Sequence, residues 1–120
     1  MASLLVHLTH GPEAATRAAL AVLVAKTASD AGHDVSLFLA GDATSLLRET
    51  TAAAVQGVGT GSFAENLRAL RDAEVPIYAS GMSAKARGVD QAAVGDTDVT
   101  FAMPDKLVEL TMASDRVLTY

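Results

Sequence analysis

The feature that most constrains this chain is an alternation. Short, almost unbroken apolar runs are separated by stretches with helical character, from one end to the other. Ser3 to Thr9 (SLLVHLT) is the first run, and its continuity is that of a strand buried on both faces. His10-Gly11-Pro12 breaks it. Glu13 to Ala31 follows as a long helix, with Pro12 and Glu13 suited to its first turn and Gly32 to its C-cap. Further strands are predicted at Asp34–Ala40, Val75–Ala79, Val99–Met103 and Arg116–Tyr120. Between them lie a short helix at Ala43–Glu49, a helix capped by Ser62 and running to Ala73, helical turns at Ser83–Arg87 and Asp90–Val94, and a helix from Pro104 to about Ala113. In the second of these, Glu65 completes a capping box with Ser62, and Phe63, Leu67 and Leu70 share one face. Strand alternating with helix predicts one three-layer α/β/α domain over residues 1–120, with a mainly parallel sheet of about five strands.

In such a sheet, ligands sit beyond the carboxyl ends of the strands. Those ends are His10-Gly11, Gly41-Asp42, Ser80-Gly81-Met82 and Met103-Pro104. The stretch 50–61 follows neither period. It is expected either to lid the strand ends or to form a surface loop at a subunit contact. The first long helix is apolar round most of its circumference, from Ala14 through Ala25, so it is expected to be buried on more than one side, in the core or against a second copy of the chain.

Composition removes several functions. Nine Lys+Arg against fourteen Asp+Glu leave a net charge of −5. That argues against nucleic acid and against an anionic membrane surface, both of which need a basic face. There is no cysteine and only three histidines. Disulfides, thiolate zinc, iron–sulfur clusters and thiol chemistry on this chain are thereby excluded, and no metal site is expected. No motif implies a cofactor. The N-terminus has no basic segment ahead of an apolar one, and the longest apolar run, Ala18 to Ala25, is too short to span a bilayer. A cytoplasmic location is the expectation.

The segment Ile77 to Gly88 (IYASGMSAKARG) is the most informative for chemistry. No acidic residue lies between Glu74 and Asp90, yet Lys85 and Arg87 do. Gly81 allows close approach of a ligand to the backbone, the start of the next helix offers N–H groups, and Ser80 and Ser83 offer hydroxyls. This predicts a site for an anion or polar ligand. The alternative is a turn capped by Ser83, with both cations as surface groups. Ser80 is the one candidate catalytic nucleophile, with His10 as the only evident base and no third residue to orient it. His10 lies at a strand end, where sites gather; His7, inside the apolar strand, is expected to be a core histidine bonded to a backbone group. Gly57-Val-Gly-Thr-Gly-Ser62 lacks the spacing of a phosphate loop and is expected to be a flexible connection. Asp42, Asp96, Asp98 and Asp105 sit at turns and helix starts, where capping accounts for them.

The opening strand with Thr9-His-Gly-Pro-Glu13, the helix ending Ala31-Gly-His-Asp-Val35, and Val75 to Gly88 with its Ser80-Gly81…Ser83-Ala-Lys-Ala-Arg-Gly88 stretch resemble the DsrE/DsrF-like family. The resemblance implies a small α/β domain with a five-stranded sheet and assembly into dimers, trimers or hexamers. It also implies kinship with proteins that relay sulfur as a cysteine persulfide. Where those members carry the reactive cysteine, this chain has Ser80. A hydroxyl cannot hold a transferable sulfane sulfur. The reading at this stage is therefore a homo-oligomeric module that binds a small anionic ligand or a protein partner and does not relay sulfur. Its site comprises His10, Gly11, Ser80, Gly81, Met82, Ser83, Lys85 and Arg87. The alternatives are an enzyme using the same pocket, or a subunit paired with a related, cysteine-bearing chain.

Overall fold

A computed structural model describes residues 1–95 and 98–120. Five strands form one sheet: β1 (Ser3–Leu8), β2 (Asp34–Leu39), β3 (Ile77–Ser80), β4 (Val99–Ala102) and β5 (Arg116–Thr119). Their spatial order is β4-β3-β2-β1-β5, and every pairing is parallel. The helices are α1 (Ala15–Asp30), α2 (Glu49–Ala54), α3 (Phe63–Asp72), α4 (Gly81–Ala86), α5 (Gln91–Val94) and α6 (Pro104–Ala113), with 3₁₀ segments at Pro12–Ala14 and Gly41–Leu47. The expected short helix after β2 is thus a 3₁₀ segment that gives way to α2.

β3 starts later than predicted, at Ile77 rather than Val75. Pro76 has no N–H to donate to a ladder, although its carbonyl accepts from the Leu37 amide at 3.0 Å. The main core lies on one face of the sheet. Val6 and Leu8, Val35, Leu37 and Leu39, and Ile77 and Ala79 alternate toward α1 and α3. α1 meets this face through Ala18, Ala21, Val22 and Ala25, small enough to let the helix sit close. Phe63, Leu67 and Leu70 of α3 are buried as predicted, each stabilising by about 1.5–3 kcal/mol relative to exposure. The Ser62 hydroxyl caps α3 by accepting from the Glu65 amide at 3.2 Å.

The opposite face holds the intervening residues. His7, Phe38 and Tyr78 stand in one cross-strand row. Phe38 packs edge-on to His7 and stacks on Tyr78, and Lys106 of α6 lies 5.6 Å from the Tyr78 ring centre. α6 therefore covers this face, and it does so thinly, since none of its residues is fully buried. The layer assignment follows from handedness. β1 to β4 step in one direction across the sheet, and the last connection returns across it to β5. Right-handed crossovers then place α6 on the face opposite α1 and α3.

Gly57 to Ser62, expected as a flexible connection, is instead tied down within the segment 55–62. An antiparallel bridge joins Gln56 to Ser62, Thr60 is buried, and the Val58 amide donates to Thr16 of α1. Gly57 is pressed so close that an added Cβ would lie 2.7 Å from the Ala19 Cβ. The segment packs beside the first turns of α1. The apolar circumference of α1 is thus largely used within the chain. Leu20 of α1 is exposed, and further exposed apolar side chains lie on α6 (Val108, Met112) and on β5 (Val117, Leu118). Among the described residues, no helix is long and apolar enough to cross a membrane.

Candidate functional site

The carboxyl ends of β1, β2 and β3 converge. Gly11 follows β1 and is buried against the chain after β2: a Cβ there would lie 2.3 Å from the Asp42 carbonyl oxygen. Gly41 begins that chain and donates its amide to the Ser83 hydroxyl at 2.9 Å. Ser80 ends β3, is half-buried, and caps α4 by accepting from the Ser83 amide at 3.2 Å. The cap is therefore Ser80 and not Ser83. Ser83 instead ties α4 to the neighbouring strand end.

Arg87 is engaged within the chain. Its Nε and one terminal nitrogen donate to the same Asp42 carboxylate oxygen at 3.1 and 2.9 Å, and the other terminal nitrogen donates to the Ser83 carbonyl at 3.0 Å. Capping is accordingly not the role of Asp42, which is held by a guanidinium 45 residues away. Arg48, which sequence reasoning did not single out, donates to the Arg87 and Gly88 carbonyls at 3.0 and 2.9 Å and closes the C-terminal end of α4. Asp98 is exposed at the foot of β4, Asp105 lies in the first turn of α6, and Asp96 lies outside the described residues.

His10 turns away from Ser80. Its Nδ1 lies 3.4 Å from a Glu13 carboxylate oxygen and its Nε2 lies 3.3 Å from Arg17. No hydrogen bond joins it to Ser80 among the described residues, so the arrangement that would activate a serine is not assembled. His7 also departs from expectation. Its Nε2 is buried with no hydrogen-bond partner among the described residues, and burial lowers its pKa.

Lys85 remains. It is exposed, has no ion pair among the described residues, and lines a pocket of about 380 Å³ with Gly81, Gly88, Val89, Asp90, Gln91 and Phe101. Asp90 caps α5 through its side chain, accepting from the Ala93 amide at 2.9 Å. The pocket adjoins a topological switch point. The connection leaving β3 goes to the α1 face, and the connection leaving β4 goes to the opposite face, so a crevice opens between their carboxyl ends. Gly81 lies at this crevice: an added Cβ would lie 3.6 Å from the Ala102 carbonyl and 3.8 Å from the Met103 sulfur. Met82 and Met103 are both exposed beside it. Among the described residues, no group of three His, Asp or Glu side chains gathers as a metal site would require.

Comparison with known proteins agrees with this architecture. The crystal structure of the YchN protein from E. coli superposes with a TM-score of 0.78 over the whole of both chains, at 21% sequence identity. Likeness at that identity speaks for the fold. No curated protein matches the sequence. A family model, however, runs over residues 2–120, the entire sheet and every helix described above. This all-parallel, cysteine-free α/β chain belongs to the DsrE/DsrF-like family.

Proposed function

We propose that this protein is a homo-oligomeric binding module for a small anionic ligand, without sulfur relay of its own. One observation carries the reading: Lys85 lines a pocket at the β3–β4 switch point with no ion pair among the described residues, while Arg87 is committed to Asp42. Gly81 keeps the floor open and Ser80 shapes the turn. With no thiol in the chain, persulfide chemistry has no carrier. The oligomer reading draws support from the apolar side chains that α6 and β5 leave exposed.

Inorganic phosphate tests the site. At ten times its Kd it should stabilise the fold by about 1.4 kcal/mol, a rise in melting temperature of about 5 °C. Lys85→Ala should abolish the rise. Arg87→Ala should lower the starting melting temperature and leave the rise in place. A parent protein indifferent to phosphate, or a Lys85→Ala variant that responds fully, overturns the reading.

A second reading, a subunit paired with a related protein, draws on the absence of cysteine in a family that includes thiol carriers. Pull-down from host lysate should then recover a homologous, cysteine-containing chain; recovery of this chain alone counts against it.

A further inference from the structure

A second cavity, of about 750 Å³, lies away from Lys85, between α2, α3 and α5 and the 3₁₀ segment. Its floor is apolar and includes Leu47, Leu67 and Val94. Two arginines of α3, Arg68 and Arg71, line it. Neither forms a salt bridge or hydrogen bond among the described residues, although Arg71 also forms part of the wall of an adjoining cavity of about 410 Å³. The Arg71 Nε is buried and has no acceptor among the described residues. A buried donor left without a partner is costly, because it has given up water for nothing. Burial and the like charge of Arg68 depress the Arg71 pKa, with Glu49 opposing them. The cavity is therefore lined by an arginine with a donor that no described residue satisfies.

The chemistry of the lining narrows the class. Glu49, Asp72 and Asp98 also line the cavity, so a polyanion such as a nucleotide meets repulsion on entry. A single carboxylate matches the planar fork of an arginine and places one charge between two cations. The apolar floor suits a short branched hydrocarbon body. The geometry points to a binding site for a small apolar monocarboxylate, its carboxylate held by Arg71 and Arg68 and its body against Leu47, Leu67 and Val94. The site is separate from the Lys85 pocket and stands or falls without it.

The probe is 4-methylpentanoate, titrated into the full chain by calorimetry and by amide NMR. Saturable binding is expected in the millimolar range or tighter, with shifts centred on residues 46–53, 64–72 and 94–95. Arg71→Lys keeps the charge and loses the fork, and should weaken binding at least tenfold. Arg68→Met is the second variant, in case Arg71→Lys does not fold, and should weaken binding several-fold. Lys85→Ala should bind as the parent does, which separates this site from the phosphate pocket. The uncharged amide of the same acid should not bind. Absence of saturation by 4-methylpentanoate, equal binding of the amide, or shifts confined to other residues overturns the proposal.

Discussion

At Gly11 the backbone has no room for a side chain. The Asp42 carbonyl stands where a Cβ would go, and a carbonyl held in a 3₁₀ segment by the Ser45 hydroxyl does not yield cheaply. Gly11→Ala should therefore destabilise the fold by at least about 2 kcal/mol, read as a lower urea midpoint at unchanged slope. An unmoved midpoint would contradict the packing described. His7 offers a test by pH. Its folded pKa is depressed by burial, so the folded state resists its protonation. Its contribution is fully present above the unfolded imidazole value of about 6.5 and is lost as pH falls from there toward the lowered folded value. His7→Phe keeps a ring against Phe38 and removes that proton site. The variant should hold its stability on going from about pH 7.5 to about pH 5 better than the parent does. Parallel pH profiles for the two would show that His7 is not a source of the acid sensitivity. Single residues also show where sequence reading stops. That Ser80 was a turn residue was legible. That it, and not Ser83, caps α4 depends on where β3 ends, and the strand runs one residue past its expected end, to Ser80.

Elements were mostly legible because their signals are local. The unbroken apolar runs of β1 and β2, the cap at Ser62 and the proline opening α6 each depend on neighbours a few residues away. The segment 55–61 was not legible, because its order comes from Thr16 and Ala19 on α1. The edge strand β5 is fastened by a similarly long-range contact. The Asp115 carboxylate accepts from both the amide and the hydroxyl of Ser3, and these bonds hold its pKa below the ordinary aspartate range. That contribution to stability is complete above the ordinary value and disappears as acid takes the pH down through the lowered one. Ser3→Ala removes the hydroxyl and keeps the amide, so it should partly flatten this acid limb in chemical denaturation, and an unchanged limb would remove the hydroxyl from the account. α6 and β5 bear the exposed apolar surface, with Met112 81% and Val108 60% accessible. Val108→Glu combined with Met112→Glu should shift the protein to monomer by light scattering while its circular dichroism stays native. A monomeric parent would end the oligomer reading.

For the molecule as a whole, strand order is what creates the site. Three connections step one way and the last returns, so the switch point falls between β3 and β4 and leaves Lys85 beside it. Ser80→Cys tests whether this edge retains the surroundings of a reactive thiol. At the N-cap of α4 the thiolate should be favoured and alkylation should outpace that of free cysteine at neutral pH. A rate no faster than the free thiol would show that the serine site has lost that environment. What the sequence determined on its own was the alternation of elements, hence the parallel sheet, and the absence of any sulfur carrier. Both follow from residue type and local period. Only the tertiary structure decided which cation is available. Arg87 and Asp42 are 45 residues apart and meet because β2 and β3 are neighbours, and Arg48 reaches the end of α4 for the same reason. Charge pairing acts over a few ångströms of space, so a chain read in one dimension shows the partners without showing that they touch.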